Sequence, residues 1–166
     1  MSTSSDTNTA NEPHIRSATA TDVTAVTQIV ANAYRRYISR MGRTPTTMLE
    51  DYAARIQEGS VWVIEQGDVV RGVAVLVAKP DHMLLENIAV EPAFHSIGLG
   101  RRLLIFAEAE AIRRGYREIR LYTHNTMTEN QELYARIGYV ETGRSNEAGY
   151  DRVFMRKPLA GKKASA

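Results

Sequence analysis

Between residues 83 and 123 the chain runs strand, proline stop, glycine turn, helix and strand again, and that order leaves few ways to fold. Met83 to Val90 is mostly apolar and reads as a strand, and Glu91-Pro92 ends it because proline has no N–H to give to a ladder. Gly98 and Gly100 mark a turn. Leu99, Leu103, Phe106, Ala107 and Ala111 then recur at helical spacing, closed by Arg113, Arg114 and a C-capping Gly115. Arg117 to Thr123 alternates Ile119 and Leu121 inward as a second strand. Two strands joined through a helix pair in parallel by a right-handed crossover, and a ligand is expected where they meet.

The rest of the chain surrounds this unit. His14 to Ala18 suits a short strand, and Thr19 with Asp22 forms a capping-box pattern before a helix. Val23, Val26, Val30, Ala33, Tyr34, Tyr37 and Ile38 mark that helix's buried stripe, leaving Arg35, Arg36 and Arg40 nearer solvent. Thr44-Pro45 predicts the start of a second helix, with Leu49, Tyr52, Ala53 and Ile56 inward and Gly59 at its end. Val61 to Ile64 and Val69 to Val77 are strands joined at Gln66-Gly67-Asp68. A short helix is expected from Thr128, with Gln131 in capping-box position, and strands at 138–142 and 151–155 close the domain. The class is α/β, of the mixed α+β kind, with helices on the faces of a mixed sheet.

At 166 residues the chain fits one domain, expected over 13–158, with polar tails at 1–12 and 159–166 expected to be disordered. The apolar runs are too short to cross a bilayer, and the start lacks the basic and apolar parts of a secretory signal, so a cytoplasmic protein with no membrane partner is expected. The chain has no cysteine, which excludes disulfides, thiolate zinc sites and a cysteine-linked acyl intermediate. No metal is expected. A net charge of +2 without a compact basic face does not call for nucleic acid.

His95-Ser96-Ile97-Gly98-Leu99-Gly100-Arg101-Arg102 sits where a helix start offers unpaired N–H groups to a phosphate. Leu103 stands where a dinucleotide fingerprint needs its third glycine, and no Lys-Ser or Lys-Thr pair follows as in a Walker loop. The plainer reading is a glycine turn that binds nothing.

Ile88-Ala89-Val90-Glu91-Pro92 followed by His95, Gly98, Gly100 and Arg101 resembles the acetyl-coenzyme A binding core of the GNAT superfamily of N-acetyltransferases, although His95 stands where Gln or Arg is usual. Leu121-Tyr122-Thr123, Thr128-Glu129-Asn130, Leu133-Tyr134 and Gly138-Tyr139 resemble its second block, with Met127 at the position many members give to asparagine. The resemblance spans about residues 15–157. It implies a mostly antiparallel central sheet of about six or seven strands, about four flanking helices, and a splayed parallel pair around the glycine loop. It also implies acetyl-CoA as co-substrate, held by Ile88, Ala89 and Val90 along the pantetheine arm, by the segment from His95 and Ser96 through Ile97, Gly98, Leu99 and Gly100 to Arg101, and by Asn130. The Val90 amide, at a bulge, would polarise the carbonyl. A homodimer would be in keeping with the family.

The expected reaction is direct acetyl transfer to a primary amine of a small molecule or protein in a ternary complex. The alternatives are a non-catalytic acyl-CoA-binding module and a tRNA-directed acyltransferase. Tyr134 is the candidate general acid, since a phenol stays protonated at neutral pH, against a plain helix tyrosine packed beside Leu133 and Ile137. Glu86 is the candidate general base, because it shares strand parity with Ile88 and Val90 and so should face the cofactor side; an ion pair with an arginine is the competing reading. Arg101 and Arg102 oppose the dipole at a helix start, which hints at an anion. His124 and Asn125 read as a solvated loop pair, and Tyr34 and Tyr37 as core with substrate contact the lesser reading.

Overall fold

In the computed structural model, which describes residues 12–160, strands β1 (His14–Ser17), β2 (Val61–Gln66), β3 (Val69–Ala78), β4 (Met83–Val90), β5 (Glu118–His124), β6 (Val140–Glu147) and β7 (Tyr150–Pro158) form one sheet. Its order is β1-β2-β3-β4-β5-β7-β6, and only the β4–β5 pair is parallel. The helices are α1 (Val23–Tyr34), α2 (Tyr37–Met41), α3 (Tyr52–Gln57), α4 (Leu99–Arg113) and α5 (Thr128–Arg136). The expected mixed, mostly antiparallel sheet is present, with five helices where about four were expected.

Each face of the sheet has its own core. Val26, Ile29, Val30 and Ala33 of α1, with Tyr52 and Ile56 of α3, cover Val61, Val63, Val73, Val75 and Ala89. Leu104, Ala107 and Ala111 of α4 and Tyr134 of α5 cover Met83, Leu85, Ile119 and Leu121 on the opposite face, where Leu99 and Leu103 also meet Val90. Burying each of the Val, Leu, Ile and Met side chains among these is worth roughly 1.5–3 kcal/mol, so the two layers hold the sheet from both sides.

Several local expectations are corrected. The first helical stripe is split at Arg35 and Arg36, and α2 then ends on the left-handed Gly42. The helix expected from Thr44-Pro45 is a 3-10 turn over Thr46–Leu49; Glu50 is extended, and Asp51 caps α3 by accepting the Ala54 N–H at 3.2 Å. Leu49 is therefore 68% exposed rather than inward. Gln131 does not close a capping box, because its amide donates to the His124 and Asn125 carbonyls at 3.1 and 3.0 Å instead. The two final strands are longer than expected. The expected tails lie outside the described residues apart from Glu12, Leu159 and Ala160, and Leu159 packs on the core with its N–H on the Arg117 carbonyl at 2.8 Å.

One irregularity organises everything around the site. In the β3–β4 ladder Val75 faces Asn87 and Leu76 faces Leu85, so Glu86 is an extra residue in β4, a β-bulge. Parallel pairing of β4 with β5 covers only Met83, Leu84 and Leu85. Beyond the bulge the two strands diverge, leaving Glu86 to Val90 and Tyr122 to His124 on the two sides of an opening.

Candidate active site

The opening is lined from both sheet faces. On one side lies a cavity bounded by Ala33, Tyr34, Ile88, Ala89, Val90, His95, Gly100, Asn130 and Tyr134. On the other lies a cavity bounded by Met41, Pro45, Thr47, Glu86, Asn87, Tyr122, His124, Met127 and Tyr150. Tyr34, Ile88, Asn130 and Tyr134 line both, so the two cavities meet between β4 and β5.

Backbone register decides which groups face the opening. The Glu91 N–H bonds the Arg71 carbonyl at 2.9 Å, and two residues earlier Ala89 faces Val73, so the backbone groups of Ala89 point to β3. Those of Ile88 and Val90 point the other way, toward the gap where β5 has left. The Val90 carbonyl accepts from His95 Nε2 at 2.8 Å, which fixes the end of the strand, while the Ile88 and Val90 N–H groups have no strand partner. His95 thus secures its own loop with its side chain.

The glycine segment is more regular than a loop. Residues Pro92–Ile97 form a 3-10 helix, whose i to i+3 bonding turns N–H groups of this segment, that of Ile97 at its end among them, back onto the chain. Gly98 follows in the left-handed conformation (φ 83°), and the first bond of α4 is Arg102 N–H to Gly98 C=O at 3.1 Å. The Leu99, Gly100 and Arg101 amides precede it and have no helical carbonyl to use. The unpaired set is thereby narrower than the Ser96 to Arg101 run expected from sequence. A Cβ on Gly100 would meet only Val90 Cγ2, at an ordinary 3.7 Å, and the residue borders the cavity; nothing in the protein itself demands glycine there. Open space backed by free amides fits a phosphate-bearing group. Arg101 is exposed with no described partner, while Arg102 reaches the Pro13 carbonyl at 3.4 Å.

Glu86 requires a correction. The bulge breaks strand parity: Ile88 and Val90 face α4 and the glycine segment, whereas Glu86 lies with α3 on the opposite face and borders the other cavity. Its carboxylate meets Arg55 at 2.8 Å, and burial raises its pKa against the lowering influence of that arginine. The bulge likewise lies at Glu86, not at Val90.

Tyr134 is 7% exposed and stacks edge-on to Tyr139 at 5.8 Å. Burial raises its pKa, which keeps the phenol protonated, and its hydroxyl has no hydrogen-bond partner among the described residues. Asn130 approaches Met127 Sδ at 3.8 Å, and Met127 is buried, with Thr123 Oγ1 3.5 Å from its sulfur. His124 is buried in the site rather than solvated. Its Nδ1 accepts the Thr126 N–H at 3.1 Å, and burial lowers its pKa, so a neutral ring carries its proton on Nε2. Asn125 turns outward to Arg144 at 2.8 Å.

Sequence reasoning missed Asn87, Tyr52 and Thr47, and underrated Tyr34. Tyr34 donates to Asn87 Oδ1 at 2.7 Å, Asn87 Nδ2 donates to the Tyr52 oxygen at 2.9 Å, and Tyr52 donates to the Thr47 carbonyl at 2.5 Å. The signal was a lone asparagine in an apolar strand, since such a group buried at 5% exposure must be hydrogen-bonded.

Comparison with known proteins places this geometry. The description "Acetyltransferase (GNAT) family" matches residues 25–139, well over half of the chain. A protein of Xenopus tropicalis named probable N-acetyltransferase 14 is 32% identical over 98 residues, 57% of this chain and 48% of that one, so the chain spans about half the length of the curated relative it matches. The PaiA N-acetyltransferase of Thermoplasma acidophilum, solved in complex with coenzyme A, has a TM-score of 0.73 at 16% identity, covering 89% of this chain and 99% of its own. The ribosomal-protein-S18-alanine N-acetyltransferase of Escherichia coli has a TM-score of 0.72 at 24% identity, covering 92% and 98%. At such identities the structures speak to the fold. The splayed parallel pair and the match over residues 25–139 make this chain a member of the GNAT acetyltransferase family.

Proposed function

We propose that the protein transfers an acetyl group from acetyl-CoA directly to a primary amine in a ternary complex. The observation that carries this reading is the meeting of two cavities between β4 and β5, one ending on unpaired amides and the other holding a carboxylate. The amides of Leu99, Gly100 and Arg101 hold the pyrophosphate, with Arg101 adding charge. The Ile88 and Val90 N–H groups, released by the splay, pair with the pantetheine arm, and Ala89, Asn130 and His95 complete the wall. When bound, acetyl-CoA supplies an already activated thioester, so this chain must only position the partners and move protons.

Glu86, on the acceptor side, takes a proton from the incoming ammonium; its raised pKa makes it a better base than an ordinary carboxylate. Tyr134 stands at the junction with an uncommitted hydroxyl and gives its proton to the departing thiolate. At the inner end of the pantetheine arm the thioester carbonyl takes the Ile88 N–H, since Ile88 lines both cavities where Val90 lines only the one beside the glycine segment, and that bond polarises it. Both a small-molecule amine and a protein amino group are acceptors compatible with this arrangement.

The test is release of free thiol from acetyl-CoA in the presence of a panel of amines. Tyr134→Phe should lower kcat about 10²-fold or more while leaving coenzyme A affinity unchanged. Glu86→Gln should remove the acidic limb of the pH–rate profile, since an acid with a raised pKa becomes an active base only as pH rises through it. Wild-type rates in both variants would end these assignments, and no thiol release with any amine would end the reading itself.

A further inference from the structure

The hydrogen-bond chain beside the opening has a direction that its chemistry fixes. A carbonyl can only accept, and the Tyr52 oxygen lies 2.5 Å from the Thr47 carbonyl, so the single Tyr52 proton goes there. The Tyr52 oxygen must then accept from Asn87, which turns Nδ2 toward Tyr52 at 2.9 Å and Oδ1 toward Tyr34 at 2.7 Å. An amide oxygen also only accepts, so Tyr34 donates. The Ile88 carbonyl, 3.3 Å from the same hydroxyl, is a second acceptor on that side.

Tyr34 therefore has no proton left for a ligand and shows only lone pairs to the place where the two cavities meet. Tyr134, the other tyrosine lining both cavities, has its proton uncommitted. The junction is polarised, with an acceptor on one wall and a donor on the other. Burial of Tyr34 raises its pKa, so it stays a neutral phenol throughout the working range.

Resting on the acetyl-transfer reading, we infer that Tyr34 is a further catalytic residue, accepting a hydrogen bond from the attacking nitrogen and turning its lone pair toward the acyl carbon. Tyr34 neither gains nor loses a proton. The ammonium loses one proton to Glu86, the nitrogen forms the new C–N bond as the C–S bond breaks, and the sulfur takes the Tyr134 proton. The second nitrogen proton leaves to restore Tyr134 by way of solvent. The buried Asn87–Tyr52–Thr47 chain holds Tyr34 in this sense.

The experiment uses n-butylamine as probe, suited to the apolar Met41, Leu85, Leu121 and Met127 around the acceptor cavity. Its affinity is measured by NMR titration, alongside kcat/KM for its acetylation, in wild type, Tyr34→Phe and Tyr52→Phe. Both variants cut the same chain and leave one Asn87 group unsatisfied, but only the first removes the oxygen at the junction. Tyr34→Phe should weaken butylamine about five- to tenfold, the worth of one hydrogen bond, with kcat/KM falling at least as far. Tyr52→Phe should lower stability with a smaller change in affinity. Equal affinity in all three proteins, or equal loss in the two variants, overturns the inference. The expected affinity difference without thiol release would keep the Tyr34 contact and overturn acetyl transfer.

Discussion

Gly98 and Gly100 are two residues apart and are glycine for different reasons. Gly98 is left-handed, and a Cβ there would meet nothing within 4 Å, so its need is conformational. An alanine there costs roughly 1–2 kcal/mol. Gly100 is in an ordinary helical conformation, where glycine is worse than alanine by up to about 1 kcal/mol. Gly100→Ala should accordingly raise the melting temperature by about 2–4 °C while weakening coenzyme A binding, and Gly98→Ala should lower both. Paired thermal melts and calorimetric titrations check this; a Gly100→Ala protein that binds as well as wild type would show that its bare backbone serves no ligand. The glycines themselves were plain in the sequence, but their separate reasons were not, because a positive φ is a property of the folded backbone.

The elements that carry these residues are set by caps and irregularities. The Thr19–Asp22 pattern, legible in sequence, forms as read: the Thr19 N–H donates to Asp22 at 2.7 Å at the entry to α1. The same carboxylate takes two bonds from Arg16 of β1, at 2.7 and 3.0 Å, and these hold its pKa down to about 2. Relative to an ordinary aspartate near 3.8, that shift corresponds to about 2 kcal/mol at neutral pH. A depressed carboxylate stabilises above its unfolded pKa and loses that contribution as pH falls through the folded value. Asp22→Asn, which keeps a capping oxygen, should lose about 4–8 °C of melting temperature at pH 7, with the gap closing between pH 4 and 2. A gap that persists at pH 2 would place the effect in packing instead. Less legible were α3, whose start was expected at Thr44-Pro45 and lies at the Asp51 cap, and the bulge at Glu86, which inserts a residue without any residue type announcing it. That single insertion reversed the face assigned to Glu86, while the strand that holds it was read at its correct ends.

For the whole molecule, the bulge means that a seven-stranded sheet is incomplete at its centre. Three residue pairs join β4 to β5, whereas β5 and β7 pair along seven, so near the opening side-chain contacts of α2 and the segment after it, rather than strand pairing, link the two halves. Arg40 of α2 reaches across to Glu129 of α5 at 2.8 Å, and Tyr150 of β7 donates to the Thr44 carbonyl at 2.7 Å. Both contacts span the acceptor side, and an exposed pair such as the first is worth at most about 1 kcal/mol. The missing backbone bonds leave a distinctive pattern in β4. Ala89 N–H points to β3, but the Ile88 and Val90 N–H groups point into the gap. In amide hydrogen exchange the free protein should therefore protect Ala89 well and its two neighbours poorly. Coenzyme A, if its arm lies along the strand, should slow Ile88 and Val90 while changing Ala89 least, and at a hundred times its Kd it should stabilise the fold by about 2.7 kcal/mol. Uniform protection of all three residues, or no change at Ile88 and Val90 in the bound protein, would mean that the ligand does not take the place of the absent strand pairing.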